Sequence, residues 1–199
     1  MTKIIDYYFT PVSPWAYLGH ERFLAIASEV GAEVRPKPVD FGRIFPISGG
    51  LPLKQRSAQR QAYRFMELAR WRAHLDKPLN LKPRHFPVDA NLACQMLVAA
   101  LASGADATLR LGGAMLAACW ADEKNLSDPD SLVALATQVG LDGPATLGAA
   151  NAQAAKDKFT EFTGEAIERQ VFGAPTYVYR DELFWGQDRL EFLRRALAN

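Results

Sequence analysis

Hydrophobic and polar positions at the start of the chain follow first the period of a strand and then that of a helix. Residues 4–9 are β-branched and aromatic and predict a first strand. A helical repeat of apolar residues follows, at Ala16, Phe23, Leu24 and Ala27. Gly31 ends this helix, and residues 32–40 predict a second strand. Prolines interrupt the second strand, which favours the edge of a sheet because proline has no N–H to donate there.

From Gly42 to about Asn151 the apolar period becomes that of helices, and no strand pattern remains. The faces of four helices are Phe65, Leu68, Ala69 and Leu75; Leu92, Met96, Ala99 and Ser103; Met115, Leu116 and Cys119; and Leu132, Leu135, Ala136 and Val139. Asp128 and Pro129 open the fourth helix, and Gly140 closes it. A further helix leads out of this block, with one face formed by Phe159, Phe162, Ala166 and Ile167.

Strand patterns return at the end of the chain. Residues 176–179 and 182–185 predict a hairpin with a tight turn at Arg180 and Asp181. We expect Asp188 to cap a last helix. The buried face of that helix is predicted to be Leu190, Leu193 and Leu197. The order of elements is βαβ, a helical block, then α-β-β-α, which defines an α/β fold with a large helical insertion.

This order of elements suggests two domains. Residues 1–41 and 152–199 would form the α/β domain, and residues 42–151 would form the inserted helical domain. Neither an internal repeat nor a flexible linker interrupts the pattern.

Composition limits the kinds of partner. The 199-residue chain is 49% hydrophobic, and no apolar run approaches the roughly 20 residues that span a membrane. With 23 Lys and Arg residues against 22 Asp and Glu, the net charge of +1 gives no electrostatic reason to bind nucleic acid or a membrane surface. The N-terminus lacks the pattern of a secretion signal, so we expect a cytoplasmic protein.

The two cysteines do not form a redox pair. Cys94 and Cys119 lie in separate predicted helices, outside any C-x-x-C motif, and we expect both to be buried apolar residues. The three histidines, His20, His74 and His85, are dispersed along the chain and give no support to a zinc site. We therefore expect neither a protein thiol pair nor a metal to supply the chemistry.

The turn before the first helix is the first candidate site. Ser13 stands at the N-cap position, and Pro14 stands at the first helical position. A helix start attracts anions such as thiolates, because its free N–H groups and the helix dipole favour negative charge. Thioredoxin-like folds place a reactive cysteine here, opposite a cis-proline loop. Ser13 is therefore either a cap alone or a residue that binds the thiolate of another molecule.

The sequence Gly-Ala-Pro-Thr at residues 173–176 directly precedes the hairpin. On this order of elements it is the loop expected to face Ser13, with Pro175 cis and the backbone of Ala174 open to an extended peptide. Beyond the hairpin, the amide of Gln187 and the carboxylate of Asp188 could hold the two charged ends of an amino acid. Glutathione has such an end, a thiol and a peptide backbone, so one ligand would satisfy all three features.

Six short motifs share their order with a known family. They are residues 9–19, FTPVSPWAYLG; 41–45, FGRIF; 70–71, RW; 85–87, HFP; 173–176, GAPT; and 186–190, GQDRL. Together they resemble the 2-hydroxychromene-2-carboxylate isomerase family, which belongs with the kappa-class glutathione transferases. The resemblance covers essentially the whole chain. It implies a thioredoxin-like βαβ-α-ββα fold with a large all-helical insertion, and a homodimer.

The resemblance also implies glutathione as cofactor. Ser13 would hydrogen-bond the glutathione sulfur, and Ala174, beside Pro175, would pair with the peptide backbone. The γ-glutamyl end would be surrounded by Trp185, Gly186, Gln187 and Asp188. One departure lies at residues 49–52, Gly-Gly-Leu-Pro, where relatives commonly have Gly-Asn before the proline. Gly50 has no side chain with which to make the contact that the resemblance assigns to this asparagine.

We expect a glutathione-dependent cis–trans isomerase of an aromatic degradation intermediate resembling 2-hydroxychromene-2-carboxylate. The thiolate would add to a conjugated carbon, allow rotation about the resulting single bond, and leave. Candidates for contact with this small aromatic carboxylate are Arg43 and Lys54 at the carboxylate, and Phe86 and Trp15 at the ring. Each of these residues also suits a structural or surface role. Two alternatives stay open: a kappa-like glutathione transferase or peroxidase, and a non-catalytic thioredoxin-fold binding module.

Overall fold

A four-stranded sheet lies at the centre of the protein, in a computed structural model that describes residues 2–198. Its strands are β1 (Ile4–Phe9), β2 (Glu33–Pro38), β3 (Thr176–Tyr179) and β4 (Glu182–Trp185). They are arranged in the order β2-β1-β3-β4, with β1 and β2 parallel and the other pairs antiparallel. The proline-containing β2 is an edge strand, as predicted, and the hairpin has the predicted limits.

The helices of the described residues surround this sheet. They are α1 (Pro14–Glu29), α2 (Phe41–Ser48), α3 (Ala58–His74), α4 (Asn91–Ala100), α5 (Ala105–Trp120), α6 (Pro129–Gln138), α7 (Gly143–Asn151), α8 (Gln153–Glu168) and α9 (Leu190–Ala198). The α/β fold with a helical block between β2 and β3 is thus confirmed. None of these helices is long and apolar enough to cross a membrane.

Two helices were not predicted. In α2, Pro46 lies inside the helix, and proline usually interrupts a helix because it lacks an N–H donor. In α7 the residues are mostly alanine, glycine and other small side chains, which produce a weak apolar period. Each helix nevertheless begins at an aspartate that caps it, Asp40 for α2 and Asp142 for α7, so the capping residues mark helices that the apolar period alone does not reveal.

The last helix begins differently from the prediction. A 3₁₀ turn, Gln187–Arg189, precedes α9, and Asp188 lies inside this turn. The Asp188 carboxylate pairs with Nη1 of Arg189 at 2.7 Å. The expectation that Asp188 caps the helix is therefore wrong, because the side chain that should accept a backbone N–H faces a neighbouring guanidinium.

Alternation along β1 places side chains on both faces of the sheet. On one face the ring of Tyr7 stacks on Phe9 at 4.4 Å and packs against Phe23 of α1 at 4.9 Å, measured between ring centroids. Tyr177 of β3 stacks on the same ring at 5.4 Å. This aromatic cluster holds α1 against the sheet and so positions the start of that helix, at Ser13.

The helical block shares its core with the sheet. Met96 and Leu97 of α4 belong to the hydrophobic cluster that contains the aromatic face of β1. Cys94 and Val98 of the same helix belong to a second cluster, around Tyr8 on the opposite face. Because α4 contributes to both clusters, the block packs directly on the sheet. The division into an α/β domain and an inserted helical domain stays a prediction.

Candidate active site

Ser13 begins α1 and faces the loop before β3. Its Oγ accepts a hydrogen bond from the backbone N–H of Ala16 at 3.1 Å, so the predicted N-cap is confirmed. The same hydroxyl donates to the carbonyl oxygen of Ala174 at 3.4 Å. This distance is long for an O–H···O bond, whose usual length is about 2.7–2.8 Å. A stronger acceptor placed beside Ser13 would therefore compete well for the proton.

Two backbone donors near Ser13 are free. Within residues 2–198, no acceptor engages the N–H of Trp15 at the helix start or the N–H of Ala174 in the opposite loop. Pro14, between Ser13 and Trp15, has no N–H. The Ala174–Pro175 peptide bond is cis, as predicted. The site thus offers a hydroxyl and two backbone N–H groups, the donors that suit a thiolate and an extended peptide.

An aromatic pair lies next to this loop. The rings of Phe172 and Trp185 are 4.7 Å apart between centroids, with an interplanar angle of 57°. Both are unusually exposed for their size, at 42% and 50%. A Cβ at Gly173 would collide with the Trp185 indole, so only glycine lets the chain pass this close to the ring. The pair provides an accessible apolar surface beside Ala174.

A cavity of about 1010 Å³ opens beside Ser13 and Ala174. The other predicted site residues that line it are Trp15, Phe86 and Trp185. Those outside its lining are Arg43, Lys54, Pro175, Gly186, Gln187 and Asp188. The structure therefore brings the thiol-binding candidates together with the aromatic candidates for the substrate, and it leaves both predicted cations apart from them.

The turn after β4 is packed against α1 and the cis-proline loop. Gln187 is buried, and its Oε1 accepts a hydrogen bond from Nη1 of Arg22 at 2.6 Å. The N–H of Gly186 donates to the carbonyl oxygen of Pro175 at 2.8 Å. These bonds fix the turn beside the loop. The contact expected between this turn and a γ-glutamyl group stays a prediction.

Three arginines that the sequence analysis did not select line the cavity: Arg56, Arg60 and Arg64. Their spacing of four residues places side chains on one face of a helix, and this is the signal that could have found them. Arg60 and Arg64 lie in α3, and Arg56 lies just before it. None of the three takes part in an ion pair within residues 2–198.

The acidic residues that line the same cavity are engaged elsewhere. A carboxylate oxygen of Asp40 accepts from the N–H of Gly42 at 2.7 Å and so caps α2. Asp89 accepts from the N–H of Asn91 at 2.9 Å. Glu67 pairs with Nη1 of Arg70 at 2.5 Å. None of these carboxylates forms an ion pair with Arg56, Arg60 or Arg64.

Arg64 is the most buried of the three, with 8% of its surface exposed. Its guanidinium carbon lies 5.5 Å from the ring centroid of Phe86, 5.6 Å from that of Trp120 and 5.8 Å from that of Phe65. Burial, together with the charge of Arg56, lowers the pKa of Arg64 to about 10. The group is still protonated at neutral pH. The aromatic rings offset part of the cost of burying this charge.

The chain supplies no ionised thiol at this site. Cys94 lines the cavity, and burial raises the pKa of its thiol to about 12. Burial likewise raises the pKa of Cys119 to about 12. Both cysteines are free and buried, as expected. A thiolate is the reactive form of a thiol, so thiol chemistry in this cavity requires a ligand that brings its own.

The departure at Gly50 has a local cause. A Cβ at this position would meet Cδ1 of Phe45 at 2.5 Å, so the ring occupies the space that a side chain at residue 50 would need. Both residues line the cavity. The loop here therefore presents an aromatic surface in place of an amide.

The protein combines a thioredoxin-like fold with a serine at the start of α1, a cis-proline loop that faces it and no ionised cysteine. It therefore belongs to the class of thioredoxin-fold proteins that lack a redox pair of cysteines. The sequence matches the family described as DSBA-like thioredoxin domain over residues 4–198. It is 30% identical over 202 residues to the 2-hydroxychromene-2-carboxylate isomerase of Sphingobium xenophagum, covering 100% of both chains. The chain belongs to the DSBA-like thioredoxin domain family and, within it, to the 2-hydroxychromene-2-carboxylate isomerases.

Solved structures agree with this assignment. The structure of a 2-hydroxychromene-2-carboxylate isomerase matches with a TM-score of 0.80 and 30% identity, over 98% of this chain and 94% of that chain. The cytosolic disulfide reductase DsbM from Pseudomonas aeruginosa with GSH matches with a TM-score of 0.70, over 98% of this chain and 100% of that chain. At 18% identity, the second similarity shows the fold alone. The family resemblance based on the six motifs is confirmed.

Proposed function

We propose that this protein is a glutathione-dependent isomerase that interconverts cis and trans isomers of an aromatic carboxylate of the 2-hydroxychromene-2-carboxylate type. The observation that carries the proposal is the hydroxyl of Ser13, at the start of α1 and opposite Ala174, in a cavity whose own thiol at Cys94 is not ionised. The isomerase relatives support the proposed class of substrate, and the hydrogen-bond donors around Ser13 support glutathione as the cofactor.

These donors fit glutathione. The hydroxyl of Ser13 and the free N–H of Trp15 support this proposal, because both are donors at a helix start, where a sulfur anion is favoured. The N–H and carbonyl oxygen of Ala174 suit a peptide backbone that pairs as a strand does. The exposed ring of Trp185 gives that peptide an apolar surface. Thiol, backbone and side-chain contacts thus come from three different segments of the chain.

Bound glutathione would supply a thiolate that adds reversibly to a conjugated carbon, which turns a double bond into a single bond free to rotate. Ser13 assists because its hydroxyl donates to the charged sulfur and so lowers the pKa of a thiol that is mostly protonated at neutral pH. Phe86 and Trp15 offer apolar surface to an aromatic ring in the same cavity. The cavity arginines offer positive charge to the carboxylate.

The test is a spectrophotometric isomerisation assay with the purified protein, with and without glutathione, combined with mass spectrometry of the product. We expect an isomer of unchanged mass, formed only when glutathione is present. S-methylglutathione is the matched control, because it keeps the peptide but has no free thiol. It should bind and inhibit without supporting turnover.

Other results would support the rival functions. A stable glutathione adduct of the substrate would indicate a transferase, and turnover without glutathione would remove the cofactor from the mechanism. Absence of glutathione binding at millimolar concentration in calorimetry would favour a non-catalytic binding module. Each result has its own readout, so the three functions can be separated with one protein preparation.

A further inference from the structure

We propose that Arg64 is the anion-binding residue of the cavity and that it receives the carboxylate of the aromatic ligand. Only the identity of that ligand rests on the proposed function. The presence of an anion subsite rests on the position of Arg64 itself. This assignment replaces Arg43 and Lys54, which lie outside the lining of the cavity.

The first argument is that Arg64 is a buried cation without a partner. Its side chain forms no hydrogen bond and no ion pair within residues 2–198, and only 8% of its surface is exposed, but its guanidinium nitrogens are not fully buried and stay open to the cavity. Buried charges in folded proteins are normally paired and hydrogen-bonded, because loss of hydration is costly. The five N–H donors of a guanidinium are well matched to a carboxylate, which can accept two of them side by side. A carboxylate in the cavity would supply the missing partner.

The second argument is the aromatic surround of Arg64. Phe86 and Trp120 pack against each other at 4.7 Å between ring centroids, and both rings lie within 6 Å of the guanidinium carbon. Phe86 also lines the cavity, next to the space a ligand would fill. An aromatic acid would thus find a ring surface and a cation at neighbouring positions of one wall. A ligand without a negative charge would leave the cation unpaired.

The third argument separates Arg64 from the other two cavity arginines. Nε of Arg56 already donates to the carbonyl oxygen of Leu51 at 2.8 Å. Arg60 is exposed, so water and salt weaken its attraction for an anion. Arg64 is buried, and the attraction between opposite charges is stronger where less water surrounds them. We therefore expect Arg56 and Arg60 to attract anions to the cavity and Arg64 to hold them.

The experiment compares two probes of the same shape, trans-cinnamate and its neutral amide, trans-cinnamamide. Their affinities for the full protein are measured by calorimetry without glutathione. We expect the wild-type protein to bind cinnamate at least about tenfold more tightly than cinnamamide. Arg64→Met should remove that preference, because methionine keeps much of the apolar volume and removes the charge. Arg64→Lys, which keeps a charge without the fork of donors, should keep a reduced preference.

Arg110→Met is the matched control. Arg110 lies on α5, is exposed, and is outside the lining of the cavity. This variant should keep the full preference for cinnamate. The proposal is overturned if the wild-type protein binds both probes equally, if Arg64→Met keeps the preference, or if Arg110→Met loses it to the same extent.

The design keeps two possible failures apart. If Arg64→Met does not fold, as judged by circular dichroism, the wild-type comparison and Arg64→Lys still decide the question. Because neither glutathione nor turnover is involved, loss of the isomerase proposal would leave a measured preference for the carboxylate intact. Conversely, an active isomerase that does not distinguish the two probes would overturn only the role of Arg64.

Discussion

At the scale of single residues, the candidate site depends on the one proton of the Ser13 hydroxyl. That oxygen accepts a bond from Ala16 N–H and so caps α1, and its proton is held by Ala174 through a long bond. The two roles are chemically separate. Capping uses a lone pair, whereas stabilisation of a bound thiolate uses the proton, so both roles can operate at once.

Ser13→Ala should remove both roles, and their effects can be measured separately. Loss of the cap should lower the free energy of unfolding by about 1 kcal/mol. Loss of the donor should raise the pKa of the bound glutathione thiol by roughly one unit and lower turnover at neutral pH by at least about tenfold. The thiol pKa is measured from thiolate absorbance during a pH titration of the complex.

Ser57→Ala is the matched control for this variant. Ser57 caps α3 by accepting from the N–H of Arg60 at 3.4 Å, and it lies outside the lining of the cavity. It should lose a similar or smaller amount of stability without any change in turnover or thiol pKa. If Ser13→Ala behaves in the same way as Ser57→Ala, then Ser13 is a structural cap alone.

At the scale of elements, the site depends on close packing between α1 and the 3₁₀ turn after β4. A Cβ on Gly19 would meet Cβ of Gln187 at 2.7 Å and the hydroxyl oxygen of Tyr177 at 3.1 Å. The backbone N–H of Gly186, in the same turn, donates a hydrogen bond to the carbonyl oxygen of Pro175. The absence of a side chain at Gly19 therefore sets the distance between the helix that carries Ser13 and the turn that supports the cis-proline loop.

Gly19→Ala and Gly164→Ala should change stability in opposite directions. Both glycines lie inside helices, where alanine is favoured by about 0.8–1.0 kcal/mol. Gly164 has no atom near its missing Cβ, so its substitution should be neutral or stabilising. At Gly19 the collision should outweigh this gain and cost about 1–3 kcal/mol, measured by urea unfolding. Equal changes in the two variants would show that the helix and the turn can separate without cost.

At the scale of the whole molecule, His20 joins three elements. On α1, its Nδ1 lies 3.2 Å from the hydroxyl oxygen of Tyr7 on β1, and its Nε2 lies 3.0 Å from the carbonyl oxygen of Leu109 on α5. Burial lowers the pKa of His20 to about 4. The folded protein therefore keeps this imidazole neutral at pH values where the unfolded chain binds a proton.

This difference predicts how stability depends on pH. Because the folded pKa is below the unfolded value of about 6.5, the contribution of His20 is complete above that pH and is lost as the pH falls toward about 4. The free energy of unfolding should fall by at most about 1.4 kcal/mol per pH unit in this window. Urea unfolding of the wild type and His20→Gln at several pH values provides the measurement.

His20→Gln should be less stable than the wild type at neutral pH. Its free energy of unfolding should change less steeply with pH between about 6.5 and about 4. His74→Gln, at an exposed position, is the comparison, and it should keep the slope of the wild type. A slope that is identical in all three proteins would assign the acid sensitivity to other groups.

Local sequence signals were sufficient for most of the fold, for the Ser13 cap and for the cis bond before Pro175. The alternation in β1, the prolines of the edge strand β2 and the serine and proline at the start of α1 all act over a few residues, so they can be read along the chain. The hairpin turn is equally local, because it consists of only two residues, Arg180 and Asp181. Both adopt positive φ, as a tight hairpin turn of this length requires. The family resemblance likewise depends on short motifs and their order, and the comparisons confirm it.

Only the tertiary structure decided which side chains share the cavity. Arg43 and Arg56 are both cations in the helical block, yet only Arg56 lines the cavity. The packing of distant segments selects the face on which each side chain lies. The burial of Arg64 depends on Phe86 and Trp120, which are remote in sequence. Local periodicity carries no information about such distant partners, whereas it does indicate the strands and most of the helices. Most elements of this protein can therefore be read from its sequence, and the set of charged residues that share its cavity follows from its packing.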